Sequence, residues 1–143
     1  KDEAIEYEQA LHARATRSDL NGKVRFAGYV EDIQQRMQHW DLLVHPARQE
    51  PLGRVLLEAA ATALPIVATE VGGTREIFPN GEAILFERDN VDQLAQHLMA
   101  LHDDTDRRSQ LAITAHNRIH QGFSLEQSVN GILSVYRDLA DTE

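Results

Sequence analysis

Apolar and polar positions along the chain follow helical spacing in some segments and form short runs in others. Apolar residues three or four positions apart among polar neighbours predict helices over residues 3–16, 31–40, 53–64, 91–102 and 106–120. Ser124, followed by Gln127 three positions later, forms a capping box that predicts the start of a last helix. Alternation of apolar and other residues predicts a strand over residues 24–28, and short apolar runs predict strands over residues 42–44, 65–69 and 83–86.

Because strands alternate with helices, the predicted fold class is α/β. We expect a Rossmann-like parallel sheet with helices on both faces. The continuous apolar run at residues 42–44 is typical of a parallel strand buried on both faces. Ligands of such sheets bind outside the carboxyl ends of the strands, so the turn that follows residue 44 is the predicted ligand edge.

Composition narrows the classes of function and location. The 143 residues suffice for one domain with its own core, and we expect residues 1–143 to form one. A formal charge of −9 argues against a nucleic-acid partner, which requires a basic surface. The chain has no cysteine, which fits a reducing compartment, and no apolar run near the ~20 residues of a membrane span. We therefore expect a cytoplasmic protein, and peripheral association with a membrane stays open for its full-length form.

The stretch of residues 46–78 carries the candidate chemistry. Glu50 precedes a turn that contains Pro51 and Gly53, and Glu58 stands inside an almost wholly apolar helix. The first N–H groups of that helix lack partners within the helix and suit an anion, and Gly53 allows close approach. A carboxylate buried without partners is costly, which favours a ligand for Glu58. The residues alone leave a simpler interpretation open, in which Glu58 is a surface residue and Glu50 is a loop residue without a role in binding.

The stretch resembles the donor-binding signature of family 4 retaining glycosyltransferases, which have the GT-B fold. That signature runs approximately P-S-x-x-E-G-F-G, then E-A-x-A-x-G-x-P-V-V-A-T, then G-G-x-x-E. It is matched by residues 46–53, by residues 58–69, and by Gly72-Gly73 with Glu76. The resemblance covers roughly residues 20–140. It includes the Val-x-Phe-x-Gly-x-Val pattern at residues 24–30, the strand at residues 40–44 and the closing helix.

The resemblance implies a role for each matching residue. Glu50 would be the catalytic residue that holds hydroxyls of the transferred sugar, and Glu58 would accept from the ribose hydroxyls. The diphosphate would bind main-chain N–H groups of Leu52, Gly53 and Arg54. The base would contact main-chain atoms of Tyr29 and Val30. The expected partners are a nucleotide-diphosphate sugar and an acceptor sugar, lipid or other hydroxyl compound; no metal or other cofactor is expected.

Departures from the family pattern affect the turn and the ends of the chain. Pro51-Leu52 replaces the commoner Gly-Phe, Ala47 replaces Ser, and Ala63 replaces a Gly at the helix-to-strand turn. The family's first apolar strand and its acceptor-binding domain do not precede Lys1. We therefore expect a donor-domain fragment that is inactive by itself. The alternative from another class is a non-catalytic nucleotide-binding or interaction domain with the same fold.

Several further residues have two interpretations. His116 and His120 have a spacing that can bind zinc, but without a third ligand a metal site is disfavoured. His45 could touch the ligand, although a structural role is favoured. Arg48 and Arg75 could each reach a phosphate or form a surface ion pair. Gly72-Gly73 could admit a phosphate or simply turn the chain.

Overall fold

The computed structural model describes residues 2–140, which divide into a unit that runs to Glu31 and a unit that begins at Asp32. The first unit contains helix α1 (Asp2–Ala15), in agreement with the predicted helix. No side chain described in α1 is buried. That residues 1–143 form one nucleotide-sugar-binding domain stays a prediction.

The strand predicted over residues 24–28 is wrong, because that segment has no regular structure among the described residues. A strand requires a neighbour that exchanges backbone hydrogen bonds with it, and none of the described strands pairs with this segment. Phe26 instead stacks on His12, with ring centroids 3.8 Å apart. Apolar alternation in the sequence therefore predicted a strand whose pairing does not occur in this unit.

The second unit is built on a parallel sheet in the order β1-β2-β3 (Leu43–His45, Ile66–Thr69 and Ile84–Phe86). Val67 at the centre pairs with Val44 on one side and with Ile84 on the other. The helices of this unit are α2 (Ile33–Met37), α3 (Arg54–Ala61), α4 (Thr74–Ile77), α5 (Val91–His102), α6 (Thr105–Gly122) and α7 (Leu125–Ala140). The predicted α/β fold with a parallel sheet is confirmed.

Alternation along β2 separates two apolar clusters, one on each face of the sheet. Ile66 and Ala68 belong to the larger cluster, which includes residues of α3 and α6. Val67 belongs to the smaller cluster, together with Leu101 of α5. All four residues of β2 are buried, as expected for the central strand of a sheet covered by helices.

Two predictions about this unit are wrong in detail. The β1 strand is not buried on both faces, because it lies at the edge of the described sheet and Val44 is exposed. Helix α2 ends at Met37, so its predicted extension to residue 40 does not form and Trp40 lies outside the helix, exposed. Met37 is nevertheless buried in the larger cluster, as its position on the helix predicted.

The capping box at the start of α7 is confirmed. The Ser124 hydroxyl accepts from the backbone N–H of Gln127, and the Gln127 side chain accepts from the backbone N–H of Ser124, both at 3.1 Å. The apolar face of the helix is uncovered, because its members remain between 45% and 82% exposed: Leu125, Val129, Ile132, Tyr136 and Leu139.

Helix α3 ends in a Schellman motif with an unusual residue at its left-handed position. The N–H of Leu64 bonds to the carbonyl of Ala59, and the N–H of Ala63 bonds to that of Ala60, each at 3.0 Å. Ala63 has a φ of 54°, a conformation that glycine adopts at no steric cost. The turn is therefore strained by a single Cβ atom.

We expect Ala63→Gly to stabilise the chain by up to about 1 kcal/mol, because relief of the left-handed strain outweighs glycine's backbone entropy. Ala95→Gly is the matched control at an exposed position within α5, and it should cost about 1 kcal/mol. Urea unfolding measures both changes. Equal destabilisation by the two variants would show that residue 63 is not strained.

Candidate functional site

The carboxylate of Glu50 is held on both oxygens beyond the carboxyl end of β1. Oε1 accepts a hydrogen bond of 2.7 Å from the backbone N–H of Gly53 and a longer one of 3.4 Å from that of Leu52. Oε2 lies 2.8 Å from Nε2 of His45. The Glu50 side chain is 17% exposed and that of His45 is 22% exposed, so solvent screens these contacts only partly.

Glu50 accepts from the backbone at the entry to helix α3. Gly53 is the N-cap residue in the left-handed conformation, with φ 75° and ψ 41°, and no side chain caps the first turn. The Glu50 carboxylate accepts from the N–H of Gly53 itself, where the helix dipole favours negative charge. Its hydrogen bond from the N–H of Gly53, and then the His45 contact, hold the pKa of the Glu50 carboxyl below its ordinary value.

Gly72 and Gly73 fix the main chain of Glu50 from the other side. Gly72 has a φ of 50°, and a Cβ atom there would lie 2.1 Å from the carbonyl oxygen of Glu50. The N–H of Gly73 donates to that same oxygen at 3.1 Å. Of the two interpretations of Gly72-Gly73, the structure supports close backbone packing: the pair lets the loop after β2 touch the loop after β1.

Thr69 at the end of β2 adds a second link between these loops. Its buried hydroxyl donates toward the carbonyl oxygens of His45 at 3.1 Å and of Ala47 at 2.6 Å. The position of Glu50 is thus set by β1, by the end of β2 and by the start of α3.

A cleft of about 360 Å³ opens beside Glu50 at this edge of the sheet. Arg48 and Arg88 line it from the loops after β1 and β3, and Asp89 lies 3.2 Å from Arg48 and 3.7 Å from Arg88. Two guanidinium groups therefore share the Asp89 carboxylate, and together with the Glu50 carboxylate in the lining the charges of this edge balance. Its remaining lining residues are Gln49, Glu50, Pro51, Val71 and Gly72.

Glu58 does not occupy the environment that its apolar neighbours indicated. Its side chain is 28% exposed and lies 3.8 Å from the exposed guanidinium of Arg54, one helical turn earlier. The expectation that α3 is enclosed all round is wrong, since only Leu56, Ala59 and Ala60 are buried. Glu58 is therefore not a stranded buried carboxylate, and partial burial alone does not require a ligand.

The predicted diphosphate donors lie together at the start of α3. The N–H groups of Leu52 and Gly53 point to the Glu50 carboxylate, and Arg54 is the first residue of the helix. A phosphate that binds these two N–H groups has to replace Glu50 as their acceptor. The residue predicted to bind the sugar is thus hydrogen bonded, in this structure, to two of the residues predicted to bind the diphosphate.

Tyr29 and Val30, the predicted base contacts, belong to the first unit, outside its helix. The Tyr29 side chain is almost fully exposed. Their role stays a prediction.

The remaining candidates are resolved by their contacts. Arg75 forms an ion pair with Glu70, and neither residue is among those that line the cleft. The Nε2 atoms of His116 and His120 lie 3.0 Å apart. Within residues 2–140, no group of three or more His, Cys, Asp or Glu side chains is arranged to hold a metal ion.

Two residues of this edge were missed from the sequence. Thr69 was quoted only as part of a motif, and Arg88 was not singled out. The available signal was position, since each lies at or just beyond the carboxyl end of a predicted strand, where ligands of parallel sheets bind.

Comparisons with known proteins identify the family of this chain. Residues 4–118 match the family of glycosyl transferases group 1, and the chain belongs to that family. It is 29% identical over 138 residues to the lipopolysaccharide core biosynthesis mannosyltransferase LpsB of Rhizobium meliloti, covering 94% of the chain and 39% of that protein. The chain thus spans about two fifths of the length of this curated relative.

Solved structures show the same fold. The complex of Anabaena HepE with UDP-glucose is 30% identical, with a TM-score of 0.77 over 96% of this chain and 36% of that one. A glycosyltransferase of Rickettsia africae is 21% identical and has a TM-score of 0.85, over 96% of this chain and 38% of that one. The fold is therefore the Rossmann-like half of a GT-B glycosyltransferase. None of the helices described over residues 2–140 has the length and apolarity required to cross a membrane.

We expect Gly72→Ala to destabilise the chain by more than about 2 kcal/mol, because its Cβ would overlap the Glu50 carbonyl in addition to straining φ. Gly81→Ala is the matched control, since Gly81 also has a positive φ of 83° but has open space around it. Urea unfolding compares the two variants. If Gly72→Ala lowers the unfolding free energy no more than Gly81→Ala does, the backbone at Glu50 can move to accommodate the added Cβ atom.

The lowered pKa of Glu50 predicts how stability depends on pH. A carboxyl whose pKa is lower in the folded state stabilises the fold above its unfolded pKa, and this contribution disappears as pH falls through the folded pKa. The unfolding free energy of the unsubstituted chain should therefore exceed that of Glu50→Gln by a constant amount from pH 7 to about 5. This difference should shrink at lower pH. Urea unfolding at a series of pH values measures it, and a growing difference in acid would contradict the assignment.

Proposed function

We propose that this chain is the donor-binding part of a retaining glycosyltransferase. Joined to an acceptor-binding domain, it transfers a sugar from a nucleotide-diphosphate sugar to an acceptor hydroxyl. The observation that carries the proposal is the Glu50 carboxylate, fixed beside an arginine-lined cleft at the ligand edge of a group 1 glycosyl transferase fold. The acceptor is a sugar, a lipid or another hydroxyl compound. We also propose a cytoplasmic location, which the lack of cysteines supports.

In this proposal each residue at the edge binds a different part of the donor molecule. Glu50 binds hydroxyls of the transferred sugar as the catalytic residue, and Glu58 binds the ribose hydroxyls. Tyr29 and Val30 contact the base through main-chain atoms. The family resemblance, which covers these positions, supports each role.

The diphosphate binds at the start of α3, through the N–H groups of Leu52, Gly53 and Arg54, and it replaces the Glu50 carboxylate as the acceptor of the first two. Backbone N–H groups at a helix N-terminus are already oriented toward an anion, and the helix dipole favours negative charge there. They stabilise the charge that develops on the leaving diphosphate as the glycosyl bond transfers, which is the largest contribution the protein makes. The proposal includes no metal cofactor, on the basis of the family resemblance.

Two proteins similar to this chain suggest which donors to test. HepE has been crystallised with UDP-glucose. A Corynebacterium glutamicum relative, 31% identical over 129 residues, is a GDP-mannose-dependent mannosyltransferase. Since these donors differ in both base and sugar, we propose the class of donor and leave its base to experiment. We further propose that the chain alone binds nucleotide but does not turn over.

Thermal unfolding in the presence of UDP, GDP or ADP tests this function. One nucleotide should raise the melting temperature, since a ligand at about 100 times its Kd stabilises by about 2.7 kcal/mol. Glu58→Ala should reduce that shift, measured against its own ligand-free unfolding, whereas the exposed Glu126→Ala on α7 should not. No shift with any nucleotide would favour the non-catalytic interaction domain, and an unchanged shift in Glu58→Ala would refute the ribose role.

A further inference from the structure

The contact between His45 and Glu50 has a defined direction. The ionised carboxylate of Glu50 can only accept hydrogen bonds, so Nε2 of His45 carries the proton and donates across the 2.8 Å separation. Hydrogen bonds to a charged group are stronger than those between neutral groups, and both side chains are mostly shielded from water. His45 is therefore a donor to Glu50 at neutral pH and not an acceptor for a ligand at the same nitrogen.

His45 is itself rigidly placed. It ends β1, where its backbone pairs with Ala68 of the buried central strand. Its carbonyl oxygen accepts from the buried hydroxyl of Thr69. The imidazole thus projects from a strand that is anchored to the core, whereas Glu50 lies on a loop.

The two sides of the carboxylate have different partners. The N–H groups of Leu52 and Gly53 hold Oε1, and within residues 2–140 the contact to Oε2 comes from His45. In the ligand-free structure the two contacts together fix the plane of the carboxylate. When a diphosphate takes the N–H groups of Leu52 and Gly53, the contact from His45 is the one that still directs the carboxylate and its remaining lone pairs.

We propose that His45 is a positioning residue for the donor sugar: it orients the Glu50 carboxylate so that the lone pairs left free accept the sugar hydroxyls. This inference rests on the proposed role of Glu50. It assigns His45 to recognition of the sugar and not of the nucleotide. Loss of His45 should therefore weaken binding of a nucleotide sugar more than binding of the corresponding nucleoside diphosphate, because only the nucleotide sugar needs the oriented carboxylate.

Calorimetric titration with UDP-glucose and UDP tests this, with GDP-mannose and GDP as a second pair. The measured quantity is the ratio of the two Kd values within each pair. His45→Phe keeps a ring but removes the donor, and it should reduce the preference for the nucleotide sugar at least about tenfold. His120→Phe, at an exposed position on α6, is the control and should leave the ratio unchanged.

A second pair of variants separates the hydrogen bond from the ring. The amide nitrogen of Gln can reach the position of the imidazole Nε2, whereas that of Asn is too short by one methylene. His45→Gln should retain the preference within about threefold, and His45→Asn should lose it as His45→Phe does. Thermal unfolding of each ligand-free variant confirms that it is folded, and the Gln and Asn variants keep the test decisive if the Phe variant does not fold.

The double variant His45→Phe/Glu50→Gln identifies the route of the effect. If His45 acts through Glu50, the double variant should bind the nucleotide sugar no worse than Glu50→Gln alone. Additive losses, or an unchanged ratio in both His45→Phe and His45→Asn, would overturn the positioning role while Glu50 keeps its own. If Glu50→Gln leaves the ratio unchanged, the proposed role of Glu50 is refuted, and the role of His45 falls with it.

Discussion

The close approach of Gly72 to the carbonyl of Glu50 is the constraint on which the candidate site depends. At 2.1 Å from a hypothetical Cβ, that oxygen leaves room only for glycine, and the next N–H bonds to it. This contact joins the loops that leave two adjacent parallel strands. It also places the Glu50 side chain where the N–H of Gly53, the N-cap residue of α3, can donate to it. Displacement of either loop would therefore move the carboxylate away from the start of the helix.

The electrostatics of the edge follow from this arrangement. The start of α3 favours an anion, and beside the cleft the charges of Arg48 and Arg88 are balanced by those of Glu50 and Asp89. In the structure Glu50 is the anion at these amides, and the hydrogen bond from Gly53, followed by that from His45, lowers the pKa of its carboxyl. An anionic ligand must offer the amides as good an acceptor as the carboxylate that it replaces.

Sequence reasoning succeeded where an element is specified by its own residues. The helix over residues 91–102, the Ser124–Gln127 capping box and the central strand were all predicted from local pattern, and the structure has them. It failed where pairing decides the outcome, as at residues 24–28, which have strand-like alternation without a partner strand. It also failed at Glu58, because the composition of an Ala-rich helix does not show whether all of its faces are covered, and the face that carries Glu58 is partly exposed to solvent.

The sequence by itself determined the class of fold, the family and the edge of the sheet that carries the candidate site, since periodicity and motif spacing are properties of the chain alone. Only the tertiary structure decided what the side chains at that edge do. The pairing of His45 with Glu50 and the packing of Gly72 on the Glu50 carbonyl depend on the parallel register of β1 and β2 and on the loops that follow them. Such contacts are distances between separate segments, which no local pattern encodes.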